Sequence, residues 1–130
     1  MIVGGRVMRT FNEFHDGFLD GLLLGDSGVR LFLSTEEKQS FVLDVVGLRS
    51  LRLNDFRQGN IIFDLIVRDS DEVTMRDMVE LFGFRDEATA IRKLEETHRE
   101  RLLVIEINPS YGASCLILAS SITLMNRSKE

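Results

Sequence analysis

Cysteine and proline are scarce in this 130-residue chain, which contains one of each. A single cysteine, Cys115, cannot form an internal disulfide, so a disulfide-stapled scaffold is excluded. One proline and 10 glycines also exclude collagen-like and low-complexity chains. The apolar run around Cys115 predicts a small buried side chain rather than a reactive thiol, and an unpaired cysteine fits a reducing compartment.

Long hydrophobic runs are missing as well. No stretch approaches the ~18 apolar residues of a membrane span, and residues 1–7 lack the sustained apolar core of a signal peptide. We therefore expect a cytoplasmic protein with no membrane partner. The length predicts one domain, 1–130, with a short polar tail from about residue 126.

Positive charge is in deficit, with 16 Lys+Arg against 21 Asp+Glu and a formal net charge of -5. Binding to phosphates needs a concentrated cationic face, so we expect no nucleic-acid partner. Residues 70–100 have the outline of a helix-turn-helix, but their excess of carboxylates favours a helical cover over a sheet. The acidic balance suits a basic protein partner.

Short apolar runs separated by turn residues are present from Phe18 to Arg68, a pattern typical of β-strands. The predicted strands are 18–24, 29–34, 41–46, 48–55 and 60–68. Residues 25–28 (Gly-Asp-Ser-Gly) suit a hairpin turn, and Gly47 separates the third strand from the fourth. The fifth strand is apolar on both faces, so we expect it to be central.

After residue 70 the apolar spacing changes to that of a helix. One helix carries an apolar stripe of Met75, Met78, Val79 and Phe82. Ser70 is its predicted N-cap and Gly83 its stop. Asp86 is the predicted cap of a second helix that extends to about Glu100. The stripe of the second helix is Ala90, Ile91, Leu94 and His98.

Two further strands, 102–107 and 113–124, follow the helices, with a turn over residues 108–112. The order is therefore βββββααββ. The sequence predicts an α+β fold: a mainly antiparallel, open β-meander of about seven strands, with two helices inserted between strands five and six.

His15, Asp16 and Asp20 form the most suggestive local cluster. A histidine beside carboxylates at a turn is a candidate general base or metal ligand. The alternative is structural, with His15 and Asp16 bonded to backbone groups at the start of the first strand. The chain has none of the common metal-ligand, nucleophile or phosphate-loop motifs, so we expect no metal, no cofactor and no catalytic residues.

Asp44, Asp64 and Glu106 each interrupt an apolar strand, where a charge is costly unless it is solvated or paired. If the three positions share one face, they form an acidic patch in a shallow concavity, suited to binding a partner or ligand. The alternative is an ordinary solvated face of the meander.

Several short segments resemble a known family. Phe14-His15-Asp16, residues 47–51 (Gly-Leu-Arg-Ser-Leu), Phe56 and Asn60-Ile61-Ile62 are similar to small bacterial β-rich proteins of unknown or immunity-like role, including an immunity family of polymorphic toxin systems. The resemblance covers about half the chain and does not include the helix pair. It implies a noncatalytic binding protein and assigns no toxin-binding residue.

Two functional hypotheses follow. The first is a noncatalytic cytoplasmic protein-interaction domain, with an immunity-like role, that binds a basic protein through the acidic face or an exposed strand edge. The second is a small-ligand binder or hydrolase that uses His15, Asp16 and the strand carboxylates.

The sequence also predicts a homodimer. Strand 113–124 is strongly apolar and has no charge before Arg127, so it lacks the usual protection of an edge strand. An open meander leaves an edge unpaired, and the strand must be central or be covered by a second copy. We expect a two-fold dimer through this strand or through the Met75-Met78-Phe82 helix face.

Overall fold

The computed structural model describes residues 2–3, 9–83 and 86–127. Its elements are β1 (Ile2–Val3), β2 (Arg9–Thr10), β3 (Phe18–Leu24), β4 (Gly28–Ser34), β5 (Ser40–Asn54), β6 (Asn60–Arg68), α1 (Met75–Phe82), α2 (Glu87–Arg99), β7 (Leu103–Tyr111) and β8 (Ser114–Asn126). Short 3-10 turns, Asn12–Phe14 and Ser70–Glu72, precede β3 and α1. Residues 84–85 of the predicted helix connection and 128–130 of the predicted tail lie outside the described residues.

Strands β3 to β8 form a closed, six-stranded antiparallel barrel. The order around it is β5, β4, β3, β6, β7 and β8, and β8 pairs again with β5. The predicted open meander is therefore wrong. Alternating apolar residues show which face of a strand is buried, but they do not show that the first and last strands of a sheet become neighbours.

One long strand, β5, replaces the predicted third and fourth strands. Gly47 adopts a φ of +68°, and the register with β8 shifts just afterwards, between Leu48 and Ser50. A β-bulge of this kind bends a strand without ending it, because pairing resumes on both sides of the extra residue. A Cβ atom at Gly47 would collide with the Ser120 side chain, which adds to the preference for glycine there.

The main core lies inside the barrel. Alternate residues of the strands point inwards, and Leu31, Leu43 and Leu65 among them are fully buried. Phe14, on the first 3-10 turn, joins this core and packs edge-to-face on Phe41, with ring centroids 5.2 Å apart. The residues before β3 therefore contribute to the barrel core.

A second apolar cluster lies on the outside of the barrel, under the helix pair. Met78 and Leu81 of α1 pack there with Val104 of β7 and with Leu116 and Leu118 of β8. The partly buried Met75 and Phe82 pack on the same cluster. The methionine-bearing helix face that was a candidate dimer surface is thus covered by the chain's own barrel.

The helix termini agree with the sequence at three of four points. Gly83 ends α1 with a φ of +67°, Asp86 caps α2, and α2 ends one residue before Glu100. The predicted N-cap Ser70 is wrong, because Ser70 begins a separate 3-10 turn. Thr74 caps α1 instead, in a reciprocal capping box with Asp77.

The buried stripe of α2 differs from the predicted one. Ala90 and Thr97 are buried, whereas Ile91 is 41% exposed and His98 is exposed. Thr97 is tolerated in the apolar cluster because its hydroxyl donates to the Lys93 carbonyl at 2.8 Å. Because of this hydrogen bond within the helix, the polar Thr97 is part of the buried face of α2.

Strand β8 has neighbours on both sides. It pairs with β5 along its length, with β7 over residues 115–119, and with β1 at Ile122 and Thr123. Of the two alternatives given for this strand, a central position and cover by a second copy, the central position is confirmed. The predicted turn over 108–112 is also shorter, because β7 extends to Tyr111 and the chain reverses at Gly112, which has a φ of +83°.

The described part of the chain contains no helix that is both long and apolar enough to cross a membrane.

Candidate functional site

The tip of the β3–β4 hairpin exposes large apolar side chains. Leu23 is 60% exposed and Leu24 is 58% exposed, and Val46 on the neighbouring strand β5 is 49% exposed. Leu23 and Val46 border a depression of about 240 Å³. Gly28 pairs with Val46 in the β4–β5 ladder. Because Gly28 has no side chain, there is room between Leu23 and Val46.

Local backbone geometry explains the depression. Gly25 donates to the Gly28 carbonyl at 2.9 Å, which closes a two-residue turn. A Cβ atom at Gly28 would collide with the backbone carbonyl of Val45, so the close approach of β4 and β5 requires glycine here. The turn predicted from residues 25–28 is confirmed, and it determines the shape of this surface.

The rim of the depression is acidic. Asp26, Asp44 and Arg30 line it, and the Nε atom of Arg30 is 3.8 Å from the Asp44 Oδ1 atom. Asp20 lies on the same hairpin, at a β-bulge three residues before Leu23. Two carboxylates and one guanidinium thus line the depression, and the Asp20 carboxylate lies further along the hairpin. We refer to Leu23, Leu24, Asp26, Asp44 and Val46 as the hairpin surface.

His15 and Asp16 hold the segment before β3 against β6. The His15 Nδ1 atom lies 2.7 Å from the Phe63 carbonyl, and the two rings meet edge-to-face at 5.5 Å. The Nε2 atom of His15 is 3.6 Å from an Asp16 carboxylate oxygen. Asp16 adopts a φ of +62° and its amide donates to the Ile62 carbonyl. These contacts match the structural alternative for this pair.

Asp64 and Glu106 lie on neighbouring strands. Asp64 is opposite Asn108 in the β6–β7 ladder, and the Asn108 side chain donates to its carboxylate at 2.7 Å. Glu106 is two residues before Asn108 on the same strand, so the two carboxylates are diagonal neighbours. Each has a polar partner, since Glu106 lies 3.9 Å from the Nε atom of Arg68.

Asp44 lies apart from those two carboxylates. Strands β5 and β6 are three steps apart in either direction around the barrel, which places them on opposite sides. Asp44 pairs with Thr123 of β8, and Glu106 pairs with Leu116 of the same strand. These two positions on β8 are seven residues apart, and seven residues of a strand span roughly 23 Å. The single acidic patch considered for Asp44, Asp64 and Glu106 therefore does not form.

A second depression, of about 280 Å³, lies between α1 and the barrel. Arg52, Asn54, Glu80, Glu106 and Asn108 contribute polar groups to it. The Arg52 guanidinium donates to the Glu80 backbone carbonyl at 2.8 Å, which ties β5 to the end of α1. We refer to this depression as the helix cleft, and its walls carry both charge signs.

An ion pair that the sequence analysis missed lies beside the helix cleft. Arg68 of β6 donates to both carboxylate oxygens of Asp77 on α1, at 2.7 and 2.8 Å. The same carboxylate accepts the Thr74 amide at 2.8 Å. Burial opposes ionisation of Asp77, but the hydrogen bonds from Arg68 and Thr74 outweigh it and lower the pKa of the carboxyl. The spacing Thr-x-x-Asp at 74–77 was the available sequence signal.

Cys115 points into the barrel core, as the sequence predicted. Burial raises the pKa of its thiol to about 12. The thiol is therefore protonated at neutral pH and is a poor nucleophile.

Among residues 2–3, 9–83 and 86–127, no group of three or more His, Cys, Asp or Glu side chains is arranged to hold a metal ion. No protein-family model, curated protein or solved structure matches the chain. The six candidate residues thus fall into three groups: His15 with Asp16 beside β6, Asp20 with Asp44 on the hairpin side, and Asp64 with Glu106 on β6 and β7.

Proposed function

We propose that this protein is a noncatalytic protein-interaction domain that binds a basic partner through the hairpin surface. The observation that carries the proposal is the exposure of Leu23, Leu24 and Val46 beside Asp26 and Asp44. An exposed apolar patch with a charged rim is typical of a protein-binding surface, and the excess of carboxylates over the single Arg30 guanidinium favours a basic partner.

The residues that were candidates for catalysis support binding over chemistry. His15 uses one ring nitrogen on the Phe63 carbonyl. Asp64 accepts a hydrogen bond from the Asn108 side chain. A general base must reach the proton that it removes. The separation of Asp44 from Glu106 argues against a shared carboxylate centre.

The specific form of this function that we propose is immunity-like: the basic partner is a toxin, which the domain neutralises by binding. The resemblance of residues 14–16, 47–51 and 60–62 to an immunity family supports this form, as does the acidic rim. A toxin gene beside the gene for this chain is the expected observation. A neighbourhood without one in several related genomes contradicts the immunity-like form and leaves the binding function to be tested separately.

Affinity capture with matched variants tests the binding function. Leu23→Asp and Val46→Asp put a charge on the hairpin surface, while Ile91→Asp puts the same charge on α2, where Ile91 is also exposed. A partner is expected to be retained by the wild-type protein and Ile91→Asp and lost by the other two. The captured protein is then purified, and its Kd for each variant is measured.

We expect the two hairpin variants to weaken binding by about tenfold or more, because each loses an apolar contact and takes a carboxylate out of water in the interface. Binding should also weaken as salt is raised, since the rim is charged. Thermal unfolding of each variant checks that it is folded. Equal binding by all four proteins, or no partner at all, contradicts the proposal.

The helix cleft favours a second candidate function, that of a small-ligand binder. Its walls place Arg52 and Asn54 across from Glu106 and Asn108, which suits a ligand with both charge signs. Screening zwitterionic metabolites by thermal shift tests this function, with Arg52→Gln as the variant. A stabilising ligand whose effect disappears in Arg52→Gln supports it, and the absence of any shift contradicts it.

A further inference from the structure

The second half of strand β3 has one edge that no other strand covers among the described residues. Its first two residues pair with β6, at Phe18↔Ile61 and Leu19↔Asn60. Beyond a bulge at Asp20, residues 21–24 pair only with β4 among the described residues. Because β3 and β6 are antiparallel, this part of β3 extends past the start of β6.

The pairing pattern shows which backbone groups face the open edge. The bond from the Gly25 amide to the Gly28 carbonyl makes 25 and 28 a hydrogen-bonded pair. In an antiparallel ladder such pairs alternate, so Leu23 bonds to Arg30, and Leu22 and Leu24 point their N–H and C=O groups away from β4. Unpaired groups of this kind are a template for another strand.

We propose that an extended, basic segment of the partner adds to this edge as a further strand, bonded to the backbone of Leu22 and Leu24. This inference rests on the proposed function and specifies how the partner is recognised. In strand addition, main-chain hydrogen bonds supply affinity and alternate side chains supply specificity. Leu23, on the outer face, lies where an apolar side chain of the added strand would pack.

Charge complementarity identifies the occupant as a basic segment rather than a second copy of this chain. The two-fold antiparallel register with the most backbone bonds would pair Leu22 of one copy with Leu24 of the other. That register sets Asp20 opposite Asp26 at both ends. Like charges directly opposite one another are destabilising, whereas lysine or arginine at those positions would be attracted to both carboxylates.

The bulge at Asp20 limits the length of the added strand. It interrupts the regular ladder between Leu19 and Gly21, so the straight open edge begins at Gly21 and ends at the hairpin turn. A segment of about four residues fits this edge at ~3.3 Å per residue. Basic residues are expected just beyond each end of that segment, opposite Asp20 and Asp26.

A synthetic peptide provides the probe: an acetylated, amidated heptapeptide of alternating threonine and valine with lysine at each end. Two further versions carry N-methyl groups on its odd-numbered or its even-numbered residues. N-methylation removes backbone donors without changing side chains or charge. In an added strand only alternate amides face the edge, so one methylated version should lose binding and the other should retain it.

Two protein variants test the backbone hydrogen bonds from the side of the protein. Leu24→Pro removes the N–H group that points towards the open edge. Proline is tolerated at such an edge, because no hydrogen bond within the protein depends on that N–H group. Leu24→Ala removes the same apolar side chain but keeps that N–H group. We expect Leu24→Pro to weaken peptide binding by about tenfold or more and Leu24→Ala by about threefold or less. Circular dichroism confirms that both variants are folded.

Amide hydrogen exchange gives a readout that side-chain packing alone would not produce. The peptide should slow exchange at Leu22 and Leu24 but leave Leu23 unchanged, because the Leu23 amide is already bonded to β4. Equal binding of both methylated peptides, equal affinity of Leu24→Pro and Leu24→Ala, or no binding of the unmethylated peptide overturns the inference. A natural partner that is lost by Leu23→Asp yet binds Leu24→Pro normally overturns strand addition while the proposed function stands.

Discussion

At the scale of single residues, the Asp77 carboxylate joins a helix cap to an ion pair. It accepts hydrogen bonds from Thr74 at the start of α1 and from Arg68 on β6. The side chains of Arg68 and Asp77 are 14% and 9% exposed, so water can replace little of this bonding. Loss of Asp77 leaves the guanidinium of Arg68 with only the more distant Glu106 carboxylate, at 3.9 Å, and removing one member of a buried ion pair is costly.

Replacing Asp77 with asparagine should therefore destabilise the protein by about 2–4 kcal/mol at neutral pH. The folded-state pKa of Asp77 is below its unfolded value of about 3.9, so this stabilisation is present above that value and is lost as pH falls through the folded pKa. Urea unfolding at several pH values measures it. Asp77→Asn should show a smaller acid-induced decline than the wild type, whereas the exposed-site control Asp71→Asn should follow the wild type.

Asn60 is a second buried residue whose side chain forms several hydrogen bonds with backbone groups. It is 2% exposed, and its Nδ2 group donates to the carbonyls of Leu19 and Arg57. Its Oδ1 atom accepts the amides of Arg57 and Ala113. This one side chain thus connects β3, the turn before β6 and the turn before β8.

The Asn60→Ala variant should lose about 2–4 kcal/mol of stability, because it leaves buried backbone groups without partners. The exposed Asn54 provides a matched control, and Asn54→Ala should change stability by less than about 0.5 kcal/mol. Chemical denaturation of both variants gives the comparison. Similar values for the two would show that the Asn60 bonds contribute little.

At the scale of elements, β5 carries the helix pair on its outer side. Arg49 donates to both carboxylate oxygens of Glu100 at 2.9 and 3.1 Å, and Ser50 donates to the Leu81 carbonyl. Together with the Arg52 bond to Glu80, these contacts join β5 to the C-terminal ends of both helices. They all lie beyond Gly47, in the half of β5 that no longer pairs with β4.

Adjacent residues of α1 should respond differently to truncation. Met78 is fully buried against the barrel, while Val79 is 44% exposed. Met78→Ala should cost about 2–4 kcal/mol, because it leaves a cavity, and Val79→Ala should cost less than about 0.5 kcal/mol. Thermal and urea unfolding of the two variants distinguish them. A large loss in Val79→Ala would show that the helix also packs on its outer side.

The sequence was informative where the signal was local. The Gly-rich turn at 25–28, the stop at Gly83 and the cap at Asp86 each depend on a few adjacent residues, and all three are confirmed. The buried stripe of α2 was predicted less well, because the Thr97 hydroxyl forms a hydrogen bond within its own helix and this polar residue can therefore be buried. Barrel closure and the separation of Asp44 from Glu106 depend on pairing between distant strands, which no local pattern reports.

At the scale of the whole molecule, closure of the barrel removes the reasons for the predicted homodimer. Strand β8 has partners on both sides, and the Met75-Met78-Phe82 face packs on the chain's own barrel. Homodimerisation stays a prediction with no surface assigned to it.

Light scattering at micromolar concentration tests the assembly state. The mass of one chain, 14.8 kDa, would contradict the predicted homodimer. Twice that mass would point to another contact, and the exposed leucines of the hairpin surface would be the first to replace with aspartate.

The pairing of β5 with β8 also has a consequence for synthesis on the ribosome. Phe41 pairs with Asn126, 85 positions later in the chain. The second half of β5 therefore leaves the ribosome long before the strand that covers it, and its apolar residues Leu48, Leu51 and Leu53 stay unpaired until residues 115–119 of β8 have been made. Contacts of such long sequence separation form slowly, so nascent chains that end before β8 should be the form of this protein that chaperones bind.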